Sequence, residues 1–235
     1  MTDIGELNSF LGIRIKQTSR GLFLSQRAYR EQLLARFQMM DCNSSKSPTE
    51  VNPAKHEDVN GETIIKLIPY RELVGCLMFL MLNTRPDISV AVNYYSRFQS
   101  NAKMAHWKGL KRILRYIKGT LDYGLIFRRG TNPGIPLQVY VDANWATDDD
   151  RKSTTGFLLQ VFGSTVSWST RKQTGITLSS TEAEYVALAT ALMDAIWLKG
   201  LLEDFNPLAT AGFETYRPYH PVGIQLRRTP RTAKF

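Results

Sequence analysis

Two periods of hydrophobic recurrence organise this chain. Over residues 137–142 the alternation is strict, with Leu137, Val139 and Val141 on one side and Gln138, Tyr140 and Asp142 on the other, the period-two signature of a half-buried strand. Two further β-rich runs, 157–162 and 165–169, flank Gly163 and Ser164. A two-residue loop with Gly to accept positive φ predicts a hairpin with a II′ turn, and so three consecutive antiparallel strands. Downstream the period changes. From Glu184 the positions Leu188, Ala191, Ala195, Leu198 and Leu202 follow at helical spacing, which predicts a helix from about Ser179 to about Asp204.

Upstream, short strands at 11–15 and 22–26 are expected around a turn at 19–21. Tyr29, Leu33, Phe37 and Met40 then predict an amphipathic helix, and residues 43–60, rich in Ser, Pro, Asn and charge, a long loop. Helices are expected at 70–82 and 86–98, the second with Pro86 in its first turn, where no N–H is required. The apolar stretch 73–82 is too short to span a bilayer and suits a core. A helix over 105–118 carries two stripes. Trp107, Leu110, Leu114 and Ile117 form one, while Lys108, Lys111, Arg112, Arg115 and Lys118 form another without an acid among them. Such a stripe can be an ordinary solvated face. Like charges at i, i+4 repel without a partner, so a phosphate backbone is the favoured reading.

Composition sets the outer bounds. A chain of 235 residues can hold one or two domains with real cores. A net charge of +9 and a pI near 9.6 favour polyanionic partners. Cys42 and Cys76, with no signal peptide or transmembrane span expected, point to a reducing, intracellular setting and to no membrane partner. The three His residues, His56, His106 and His220, are isolated and make no metal-ligand pair. The tail 205–235 has four Pro and several Arg, which suits a disordered basic extension.

Chemistry concentrates at two acids. A carboxylate finishing a buried strand (Asp142) and another opening the helix packed on that sheet (Glu184) can converge on one divalent cation. Local pattern leaves alternatives open: Ser179 with Glu182 and Thr181 with Glu184 both fit a capping box, and Asp142 alone fits a strand-end residue.

The ordered motifs Tyr140-Val-Asp-Ala-Asn-Trp145, Asp150-Arg-Lys-Ser-Thr-Thr-Gly156, Val166-Ser-Trp168 and Leu178-Ser-Ser-Thr-Glu-Ala-Glu-Tyr185, followed by Ala195-Ile-Trp-Leu198, resemble the ribonuclease H domain of copia-type LTR retrotransposon polyproteins. The resemblance implies that Asp142 and Glu184 are the catalytic, metal-holding carboxylates, with Glu182 left as the cap. It also implies Mg²⁺ as cofactor and an RNA–DNA hybrid as partner. Hard, oxygen-seeking Mg²⁺ is held by carboxylates, and two such ions about 4 Å apart can activate water and stabilise the leaving oxygen. The family scheme calls for a third acid on the strand after the helix. Beyond Glu203 and Asp204 only Glu214 remains, so the expected site is incomplete.

Residues 3–12, 21–26, 70–75, 85–88, 106–107 and 112–119 resemble the end of the reverse transcriptase of the same polyproteins, without the paired-Asp turn of its polymerase site. The expectation is therefore an α/β (α+β) chain in three parts. Residues 1–130 form the reverse transcriptase end, 131–204 a truncated ribonuclease H-like unit of three antiparallel strands and a helix, and 205–235 a tail. The rest of the polyprotein is an expected partner, and a cytoplasmic, virus-like-particle setting is implied. Two functions are compatible: a hybrid-cleaving enzyme fragment, or a nucleic-acid-binding remnant without activity.

Overall fold

The computed structural model describes residues 7–19, 21–50, 63, 67–128, 137–146, 150–209 and 224–228, with side chains assigned up to residue 205. The chain is a mixed α/β protein in two compact units, divided near residue 129.

The first unit pairs strands β1 (Ser9–Phe10), β2 (Ile13–Thr18), β3 (Gly21–Ser25) and β4 (Leu125–Arg128) in one antiparallel sheet, in that order. Its helices are α1 (Arg27–Arg36), α2 (Tyr70–Asn83), α3 (Ser89–Ser96) and α4 (Met104–Gly119). The expected 86–98 helix is divided into a 3-10 turn, Pro86–Ile88, and α3. Neither the two-residue β1 nor β4, whose partner β3 lies a hundred residues upstream, carries a local signal of its own. The core is built from the inner stripes of the helices, including Leu73, Leu77, Ile113, Leu114 and Ile117, all fully buried. Helix α4 can approach α3 because residue 109 is Gly. A Cβ there would stand 2.1 Å from the Tyr95 ring. Tyr95 is fixed in turn by α2, since the Tyr70 hydroxyl donates to its carbonyl at 2.8 Å.

The second unit contains β5 (Leu137–Asn144), β6 (Thr154–Val161), β7 (Ser164–Lys172), the 30-residue α5 (Ser180–Ala209) and β8 (Ile224–Arg228). The sheet order is β7-β6-β5-β8, antiparallel except that β8 runs parallel to β5. The hairpin is as expected but its turn is not. Val161 pairs with Ser164, so Phe162 and Gly163 form the loop, both with positive φ (47° and 76°). That is the I′ pattern, displaced by one residue from the expected II′ turn.

The expected disordered tail and three-stranded sheet also need correction. Helix α5 runs five residues past Asp204, and Ile224–Arg228 add a fourth strand along the β5 edge. The signal was present. Ile224 and Leu226 alternate with Gln225 and Arg227, in register with the buried Leu137 and Val139, but it was hidden among Pro and Arg. The remainder of the tail lies outside the described residues.

Helix α5 lies on this sheet through small residues. Ala183, Ala187, Ala191 and Ala195 recur every fourth position and are fully buried, the last three against Leu137, Val139, Phe157 and Leu159. Their small side chains bring the helix axis close to the strands.

Candidate functional site

The alternation of β5 holds: Leu137, Val139 and Val141 are buried, while Gln138, Tyr140 and Asp142 are half-exposed on the other face. Asp142 is not the terminal strand residue, since β5 continues to Asn144. Across the ladder it stands opposite Gly156, where an added Cβ would meet nothing within 4 Å. Glu184 is half-buried and lies on the inner side of α5, in line with Leu188, Ala191, Ala195 and Leu202. Glu182 is on the outer side and acts as the cap. Its backbone N–H donates to Ser179 Oγ at 3.1 Å, and its carboxylate accepts from the Leu178 N–H at 2.6 Å. Of the two acids that local pattern had left open, Glu182 thus serves the helix start.

A buried polar clamp, not foreseen in the sequence, joins the strand ends to the helix start. The Gln173 side-chain amide, 93% buried, donates to Thr155 Oγ1 on β6 at 3.1 Å and to the Ala183 carbonyl in the first turn of α5 at 2.9 Å. Its backbone N–H donates to the Ser153 carbonyl at 2.8 Å. Ser153 Oγ meets Thr177 Oγ1 at 2.8 Å, and the Trp145 indole donates to the Thr177 carbonyl at 3.1 Å. Trp145, Ser153 and Thr155 all lie within the motifs that carry the family resemblance. Their requirement is now physical, because each holds the segment preceding Glu184 against the end of the sheet that bears Asp142. A polar residue buried without a partner would cost about 1–3 kcal/mol, so the set is mutually dependent.

The donor set for a metal falls short. Among the described residues no group of three His, Cys, Asp or Glu side chains is placed to hold an ion. The strand after the helix, β8, reads Ile224-Gln-Leu-Arg-Arg228 and carries no acid. Two carboxylates alone do not fit a pair of Mg²⁺ ions. Glu214 lies outside the described residues, and Asp204 is exposed at the far end of α5.

Similarity to known proteins accords with the motifs. The chain is 40% identical over 202 residues to a retrovirus-related Pol polyprotein from transposon RE2 of Arabidopsis thaliana, which covers 86% of this chain and 14% of that protein. It is 39% identical over 214 residues to the corresponding polyprotein from transposon TNT 1-94 of Nicotiana tabacum, covering 88% and 16%. An uncharacterized mitochondrial protein of Arabidopsis thaliana is 39% identical over 204 residues, 84% of this chain and 80% of its own length. The chain belongs to the copia-type retrotransposon Pol polyprotein family. It spans about one seventh of the Pol polyproteins it matches. No family model and no solved structure matches it.

The basic stripe of this Pol segment is partly committed within its own unit. Arg112 donates to Glu50 at 3.0 Å and to Ser47 Oγ at 3.2 Å. Arg115 Nε donates to the Asn43 carbonyl at 2.7 Å, and the Arg115 carbonyl accepts from the Ser45 N–H. Both therefore pin the 43–50 segment on α4, a role invisible in a helical stripe because its partners are sixty to seventy residues away. Lys108 is exposed, Lys111 lies 5.9 Å from the Trp107 ring centroid, and Lys118 is half-buried. Two of the five expected stripe residues, Arg112 and Arg115, thus also hold the fold of their own unit.

Among the described residues one helical stretch, Ser180–Phe205, is long and apolar enough to cross a membrane. The sequence reading expected no such span. The cause is the same helix having an apolar inner face for its sheet and a second apolar face outside.

Proposed function

We propose that this Pol segment joins the end of a reverse transcriptase-like unit to a ribonuclease H-like unit, and that it binds an RNA–DNA hybrid without cutting it. The order of elements supports the second assignment. Three antiparallel strands are followed by a helix on the sheet, and then by a strand parallel to the first. The resemblance reads Asp142 on that first strand and Glu184 on the helix as the family's carboxylates.

The observation that carries the binding-only reading is the short acid set: among the described residues no three His, Cys, Asp or Glu side chains are placed to hold an ion, and β8 has no acid in its sequence. Without paired ions, neither the attacking water nor the leaving oxygen receives the stabilisation that hydrolysis requires. The purified chain is expected to retain a labelled RNA–DNA hybrid and to release no RNA fragments in Mg²⁺ or Mn²⁺. RNA cleavage that disappears in Asp142→Asn would replace this reading with that of a competent nuclease.

A further inference from the structure

The outer face of α5 carries a second apolar stripe, opposite the one on the sheet. Tyr185 is 68% exposed, Met193 67%, Ile196 62% and Trp197 68%. With Val186, Ala189 and Gly200 these positions recur at three- and four-residue intervals, so they lie on one line along the helix. No charged residue interrupts that line between Val186 and Gly200, since Asp194 and Lys199 flank it. A large exposed apolar patch marks an interaction surface.

We infer that this face is a self-association surface, on which α5 of a second copy packs antiparallel about a twofold axis at Met193. The argument is size complementarity along the stripe. An antiparallel partner centred on Met193 sets residues whose numbers sum to 386 opposite one another. Trp197 then meets Ala189, Val186 meets Gly200, and Ile196 meets Thr190. In these three pairs the larger side chain faces a smaller one, while Tyr185 meets Leu201, two large side chains, toward the ends of the stripe. A Cβ built at Gly200 meets nothing within 4 Å, so the space beside it is open. Parallel pairing would set Trp197 on Trp197 and Gly200 on Gly200, bulk on bulk and gap on gap.

Area is consistent with such a pair. Taking about 150–250 Å² for each aromatic side chain and proportionately less for the aliphatic ones, the exposed parts of the stripe amount to on the order of 600 Å² per copy. About 1,200 Å² in total lies at the lower bound of specific interfaces, the size class of weak or transient pairs. Charge adds a signature. Glu182 and Asp204 are both exposed and also sum to 386, so like charges face each other at both ends of the pair. Salt screens that repulsion, and association strengthens as salt rises.

Sedimentation velocity of the whole 235-residue chain, from low to high micromolar concentration and in low and high salt, tests the inference. The expected result is a monomer–dimer equilibrium that tightens with salt. Met193→Lys and Ala189→Trp should each weaken it by at least roughly tenfold, with circular dichroism unchanged because both side chains face outward. Met193→Cys should form a disulfide with its counterpart in the second copy, since the twofold axis brings the two together. A chain monomeric throughout overturns the inference. So does Ala189→Trp associating as tightly as the natural chain, which would make the contact mere stickiness. A monomer that floats with neutral phosphatidylcholine vesicles would assign the stripe to a lipid surface instead.

Discussion

Arg30 and Arg85 show how a motif residue and an unremarked one can share a site with opposite consequences. Both guanidiniums are fully buried and both donate to the Thr120 carbonyl at 3.2 Å, at the negative end of α4. Arg85 is otherwise satisfied: it grips the Asp87 carboxylate through Nε and Nη2 and donates to Thr120 Oγ1 at 2.6 Å. Arg30 leaves Nε and Nη2 without acceptors. Burial, and then the adjacent Arg85 charge, lower its pKa to about 10. The charged form is therefore disfavoured in the fold, and Arg30 withholds stability below pH 10 that returns as pH rises from there toward its ordinary value. Arg30→Met should raise the midpoint of urea unfolding at neutral pH, by about 1 kcal/mol in stability, because it removes an under-satisfied charge and keeps the stem. Arg85→Met should lower it by about 3 kcal/mol, since Asp87 loses its partner. Equal losses in both variants would contradict this account. At the other unit, Glu182→Ala should cost about 1 kcal/mol as a lost cap.

At the scale of elements, tight approaches through small residues decide what each helix can do. The alanines of α5 and Gly109 of α4 are not conspicuous in a hydrophobic count, yet they set helix–sheet and helix–helix distance. Ala191→Leu should overpack the sheet and cost about 1–3 kcal/mol, as should Gly109→Ala against Tyr95, both read from thermal or urea unfolding. Ala189→Leu, two residues from Ala191 but outward, should leave unfolding nearly unchanged. These contrasts also mark what was legible in the sequence. The β5 alternation, the β6–β7 hairpin and the start of α5 were readable, because they depend on neighbours within a few residues, whereas local pattern left Glu182 and Glu184 open and only the resemblance chose between them. The β4 and β8 pairings, the Gln173 clamp and the Arg115 contact with residue 43 were not readable, because each depends on chain brought from far away. The positive φ of Phe162 was missed for a different reason. Turn preference pointed to Gly at the first loop position, and the pairing of Val161 with Ser164 overrode it.

For the whole molecule, net charge and apolar surface make opposite demands on ionic strength. Phosphate binding releases counterions, so affinity for a hybrid duplex falls as salt rises, with a slope of about 0.9 for each phosphate neutralised. Association through the outer face of α5 would rise under the same change. Measured together, the two responses separate nucleic-acid contact from self-contact in one titration series. The lysines should carry the first response. Lys108→Ala and Lys111→Ala should each reduce the slope of log K against log salt by about 0.9. Arg115→Ala should reduce it less, because its Nε already serves the Asn43 carbonyl, and it should instead expose the 43–50 segment to faster proteolysis. Fluorescence anisotropy with a labelled RNA–DNA hybrid at several salt concentrations reads the slopes. Unchanged slopes in both lysine variants would mean that α4 presents only a solvated face. A larger effect from Arg115 would mean that its hold on residue 43 yields when phosphate arrives.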